Sequence, residues 1–152
     1  MGNEKSSRKF IEFAEAFIKE AKEDVAVAEE LLENKRYAHS VFMSQQCAEK
    51  AVKAMLEIEG IFVAEHDIST FFLKFIANNN VYKKYKKENS IILEDLDYFE
   101  GEWAKTRYPK EKNGKICTPT ELYGEKEAFL SLEKAKEVYN LIKKIMDEKN
   151  EN

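Results

Sequence analysis

Cysteine, proline and glycine are all scarce in this chain of 152 residues, at two, two and five. So little turn chemistry excludes a sandwich or barrel of many short strands as the expected architecture. Cys47 and Cys117 form no C-x-x-C pair and have no histidine at zinc-ligand spacing, so neither a disulfide framework nor a structural metal is expected. Arginine is scarce too: Arg8, Arg36 and Arg107 stand in a basic complement that is otherwise lysine. Surfaces rich in lysine and glutamate are common in heat-adapted proteins, and a thermophile source is the corresponding expectation.

No apolar run approaches the roughly 18 residues of a membrane helix. Met1 to Lys9 is polar and charged, without the apolar core of a signal peptide, so the expected location is cytoplasmic, with no membrane partner. The formal net charge is −4. Non-specific nucleic-acid binders are strongly basic over the binding domain, so a coat of phosphate-binding charge is excluded and only a local basic patch stays open.

What the chain does have is helical periodicity. Phe10, Ala14, Phe17, Ala21, Val25, Ala28 and Leu32 recur in steps of three and four, which predicts a first helix from about Ser7 to Glu33. After a break at Asn34-Lys35, Val41, Ala48, Val52 and Met55 mark a second helix from Arg36 or Tyr37 to Glu59, stopped by Gly60. So short a connection makes the two an antiparallel hairpin. Asp67 is the expected N-cap of a third helix burying Ile68, Phe71, Phe72, Phe75 and Ile76. Lys83 to Asn89 reads as a polar loop. Ile92, Leu96, Phe99 and Trp103 mark a fourth helix, one long loop is expected at about 104–124, and a last helix runs from about Glu125 to Glu148. The expected fold class is all-α: a five-helix up-and-down bundle with a four-helix-bundle core, forming one domain over 1–152.

Three motifs stand in register with these helices. They are Tyr37-Ala38-His39 through Gln45-Gln46-Cys47-Ala48-Glu49-Lys50-Ala51-Val52-Lys53, then Glu65-His66-Asp67-Ile68, then Thr106-Arg107-Tyr108-Pro109. Together they resemble the HEPN family over essentially the whole chain. The resemblance implies a helical bundle that pairs as a homodimer and works beside a minimal nucleotidyltransferase, in a toxin-antitoxin couple or a nucleotide-handling complex. In the active branches it also implies a metal-independent endoribonuclease using Arg, four to six intervening residues, and His. That spacing is missing here: Arg8 is followed at the corresponding positions by Phe13, Ala14 and Glu15, Arg107 by Lys112, Asn113 and Gly114, and His39 comes too soon after Arg36. The expected protein is therefore a binding subunit without a cofactor or catalytic motif. A divergent endoribonuclease using His66 and Arg107, or a purely structural module, are the alternatives.

Several constellations could carry the binding. Gln46, Glu49, Lys50 and Lys53 share one helical face by spacing and could line a polar groove, although Glu49 with Lys53 is also an ordinary i, i+4 pair. His66 could satisfy a loop carbonyl beside Asp67 or serve as a base. Arg107 and Tyr108 stand at the mouth of the long loop, where an arginine can fork onto phosphate or pin the loop by an ion pair. Tyr82 and Tyr85 among Lys83, Lys84, Lys86 and Lys87 could grip a single strand or form a solvated loop. Phe13, Ile18, Leu141 and Ile145 extend beyond single apolar stripes, which suggests that a second chain covers them.

Overall fold

The computed structural model describes the backbone of residues 2–151 and the side chains of residues 9–151, so the Arg8 side chain lies outside the described residues. Helix α1 runs Gly2–Glu33 and α2 runs Tyr37–Ile58. A short α3, Ser69–Phe72, passes into a π-helical turn over Leu73–Ala77, and a 3-10 segment over Asn80–Tyr85 leads into α4, Lys86–Glu102. Strands β1, Lys110–Lys112, and β2, Lys115–Cys117, then pair antiparallel before the single turn of α5, Pro119–Leu122, and the long α6, Glu125–Asn150.

The three-residue connection between α1 and α2 works because Lys35 takes a positive φ of 61° and the Arg36 amide closes back on the Leu31 carbonyl at 2.8 Å. Gly60 ends α2 as its position foretells: φ is 73°, and its amide donates to the Glu57 carbonyl at 2.8 Å. Long-range contacts fix the helix directions. Cys47 on α2 and Glu59 at its end meet the Ala135 carbonyl and Lys149 on α6, so these two helices run parallel. Tyr98 and Glu88 on α4 meet Ser131 and Lys144, so α4 runs antiparallel to α6. With α1 antiparallel to α2, the four long helices make an up-and-down bundle.

Helix α2 is its centre, buried on most of its circumference. Val52, Met55 and Leu56 pack with Phe72, Ile92, Val138 and Ile142 in one core, where each such side chain contributes about 1.5–3 kcal/mol of transfer free energy. Cys47 sits inside it, and burial pushes its thiol up to about 12, which removes it as a nucleophile at neutral pH.

Four expectations are corrected. Lys83 to Asn89 is helical rather than a loop, because Tyr82 and Tyr85 supply buried apolar surface in an otherwise polar stretch. The Tyr82 hydroxyl donates to Glu59 and accepts from Lys149, that of Tyr85 donates to Glu148, and both rings are buried, so neither is free to stack on a base. Asp67 does not cap α3: Ile68 holds that position, and the Asp67 carboxylate instead accepts from the Ser69 hydroxyl at 3.4 Å. The stretch at 104–124 contains a β-hairpin and a helical turn rather than one long loop. Of the apolar surplus, Ile18 and Ile145 are buried within the chain and Leu141 packs on its core, which leaves Phe13 exposed beside Ile11.

Candidate functional site

Residues spaced by three and four on two antiparallel helices face each other along a line. On α2 this brings Gln45, Ala48 and Glu49 to one side of a cavity of about 360 Å³, and on α4 and just beyond it this brings Leu96, Phe99 and Trp103 to the other. The segment between α2 and α3 closes it with His66 and Ile68. The walls are apolar and the polar groups sit around them, the usual make-up of a small-molecule site.

Glu49 is a buried carboxylate, and leaving it without partners would cost several kcal/mol, on the order of the desolvation of a charge. Its Oε1 meets His66 Nδ1 at 2.8 Å and Lys53 Nζ at 3.4 Å. A His66 ring that donates from Nδ1 keeps Nε2 as an acceptor when neutral, and the ring is about half exposed, with its centroid 5.0 Å from that of Trp103. On the same wall, Glu100 is pushed above the usual carboxylate range by desolvation, with Asp67 adding to the rise and the Ser69 hydroxyl opposing it.

Arg107 is held by one arm. Its Nη1 donates to Gln45 Oε1 at 2.8 Å, to the Trp103 carbonyl at 2.9 Å and to Thr106 Oγ1 at 3.1 Å. The guanidinium carbon lies 4.2 Å from the Trp103 ring centre and 4.5 Å from that of Phe42, both within cation-π range. Nε and Nη2 have no hydrogen-bond partner among the described residues. Desolvation lowers the Arg107 pKa, opposed by the charge of Glu49 and by Tyr108, and the group stays cationic. Gln45 completes the frame, since its Nε2 donates to the Phe99 carbonyl at 2.8 Å.

The sequence-derived residues divide accordingly. Glu49, His66 and Arg107 come together around Trp103, with Lys53 beside Glu49. Tyr108 is 56% exposed and rests 6.2 Å from the Trp103 ring. Lys50 does not join: its ammonium pairs with Asp24 on α1 at 2.7 Å. Gln46 is half-buried, does not line the cavity, and is replaced there by Gln45. At 3.6 residues per turn, Gln46 and Lys50 stand about 100° and 140° around α2 from Gln45, too far to share its face. The expected groove of Gln46, Glu49, Lys50 and Lys53 is therefore corrected: Gln46 and Lys50 stand away from the cavity that Glu49 lines. Trp103, read as a stripe residue of the fourth helix, lines the cavity and packs against both His66 and Arg107. The signal was there: the chain's one tryptophan lies four residues ahead of Arg107. Among the described residues, no group of three or more His, Cys, Asp or Glu side chains could hold a metal ion.

A four-helix up-and-down core with an apolar slot between α2 and α4 defines a small helical bundle. The chain belongs to the HEPN family, whose domain model matches residues 14–148. It is 36% identical over 139 residues to the Methanocaldococcus jannaschii protein named "Putative toxin MJ1304", covering 91% of each chain. Its fold is similar to the crystal structure of ST0689, described as an archaeal HEPN homologue, at a TM-score of 0.65 and 29% identity, covering 86% of this chain and 94% of that one. The Thermus thermophilus protein TT1696 shares the fold at a TM-score of 0.63 and 22% identity, over 86% of this chain and 96% of that one.

Proposed function

We propose that this chain is the HEPN subunit of a toxin-antitoxin-like pair, a homodimer that binds a nucleotide or an RNA end in the α2–α4 slot and docks a minimal nucleotidyltransferase. The family and the relative named as a toxin support the pairing. The observation that carries the binding is the Trp103 indole, against which both His66 and Arg107 pack at the edge of an apolar slot. A nucleobase fits such a site by stacking on aromatic or guanidinium planes, and its amino and imino hydrogens find acceptors in Glu49, Asp67 and Glu100. The free edge of Arg107 would take phosphate outside the slot. The three carboxylates inside disfavour phosphate there.

The subunit binds without cleaving, since it lacks the Arg-x4-6-His spacing. Trp103, the chain's one tryptophan, supplies the test. Mononucleotides should quench its fluorescence saturably, and absence of quenching with all four would reject the slot as the site. The bond from His66 Nδ1 to Glu49 favours a second reading, an endoribonuclease in which the carboxylate orients His66 and Nε2 removes the 2′-hydroxyl proton while Arg107 stabilises the phosphorane. Incubation with a structured RNA separates the two. Cleavage by the wild type that disappears in His66→Ala establishes the second reading, and intact RNA supports the first.

A further inference from the structure

The β1–β2 hairpin is a charged ribbon in an otherwise acidic molecule. From Lys105 to Cys117 the chain carries Lys105, Arg107, Lys110, Lys112 and Lys115 against the single carboxylate of Glu111, while the whole chain has a net charge of −4. The register pairs Lys110 with Cys117, Glu111 with Ile116, and Lys112 with Lys115. Side chains alternate across a strand and directly paired residues share a face, so Lys110, Lys112 and Lys115 stand together on one side and Glu111 with Ile116 on the other.

All three lysines are exposed, and none has an ion-pair partner among the described residues. Lys112 directly opposite Lys115 is a like-charge pair, which weakens a hairpin. The ribbon holds its shape through its turn: Asn113 and Gly114 have φ of 53° and 75°, the Asn-Gly conformation that matches strand twist. A ribbon that keeps three unneutralised cations on one face is complementary to a row of regularly spaced anions. Pro109 and Tyr108 alone separate it from Arg107, and three residues of extended chain reach at most about 10 Å.

We propose that this lysine face is a backbone-tracking surface for single-stranded RNA, engaging the phosphates next to the nucleotide held in the α2–α4 slot. The inference rests on the slot's reading as a nucleotide site and extends it from one nucleotide to a strand. The slot reads a base, and the ribbon adds sequence-independent affinity and salt dependence.

The test uses the whole chain, a fluorescein-labelled 12-mer of mixed-sequence RNA and the four mononucleotides, with the triple variant Lys110→Gln, Lys112→Gln, Lys115→Gln. Single strands contribute about 0.7 per neutralised phosphate to the slope of log affinity against log salt, so losing three contacts should flatten that slope by about 2. Mononucleotide quenching of Trp103 should be unchanged, and Ile116→Ser on the opposite face should behave as wild type. A wild-type slope in the triple variant, with mononucleotide binding intact, overturns the ribbon while leaving the slot standing. Failure of the wild type to bind either probe overturns the slot reading, and the ribbon with it. Binding of the wild type to phosphatidylserine vesicles but not to the 12-mer overturns RNA as the ribbon's ligand. Circular dichroism and the intact slot response show that the variant is folded.

Discussion

Gln45 joins three parts of the molecule through one side chain: it sits on α2, donates to the Phe99 carbonyl of α4 and accepts from Arg107 beyond α4. It is only 5% exposed, so truncation strands the Phe99 carbonyl away from water and removes one of the three acceptors of Arg107 Nη1. Gln45→Ala should lower stability by about 1–3 kcal/mol, the range for leaving such groups unsatisfied, read as a fall in the urea midpoint at constant m-value. Lys50→Ala, which opens a pair to Asp24 on the far side of α2, should leave mononucleotide quenching of Trp103 unchanged. Loss of quenching in that variant would put Lys50 back in the site. Motif spacing singled out Glu49, His66 and Arg107, and the fold gathers them beside Trp103. Gln45 was not legible, since a buried glutamine beside Gln46 carries no pattern of its own, and one residue is a rotation of about 100°, the difference between cavity and rim.

The contact between α4 and α6 contains a buried carboxylate, Asp95. Asp95 meets Lys134 Nζ at 3.1 Å and also faces Glu137. Burial and the shared hydrogen bond with Glu137 raise its pKa from 3.8 to about 7, with Lys134 opposing. The folded state thus holds a proton that the unfolded chain releases near pH 4, by the reference value of about 3.9. This group's contribution to stability is complete below about pH 4 and is lost as pH rises through about 7. Urea unfolding should therefore show wild-type stability falling from about pH 5 to about pH 8 more steeply than that of Asp95→Asn, which cannot ionise. Equal pH dependence in the two proteins would remove Asp95 as the cause. The long helices were legible because amphipathic spacing repeats over many turns. The hairpin was not: Lys110 to Lys112 and Lys115 to Cys117 lack apolar alternation, leaving Asn113-Gly114 as the one cue.

At the scale of the whole molecule, the bundle buries its core within one chain, yet Ile11 and Phe13 on α1 remain 47% and 48% exposed, with Phe129 and Leu130 exposed on α6. The homodimer proposed here would cover part of that surface. Light scattering at micromolar concentration should give twice the mass of 17.7 kDa, and a monomer there would exclude it. No helix among the described residues is long and apolar enough to cross a membrane.

In the proposed function, Arg107 and the Trp103 slot form one nucleotide site. Titration calorimetry of mononucleotides and short RNAs into wild type, Arg107→Ala and Lys136→Ala tests it most directly, because Lys136 lies on the surface, paired with Glu29 and Glu133. Losing a hydrogen bond to a charged group costs about 1.5–3 kcal/mol, so Arg107→Ala should bind roughly tenfold to more than a hundredfold more weakly, with Lys136→Ala matching wild type. Equal affinities for all three proteins would separate Arg107 from the nucleotide site.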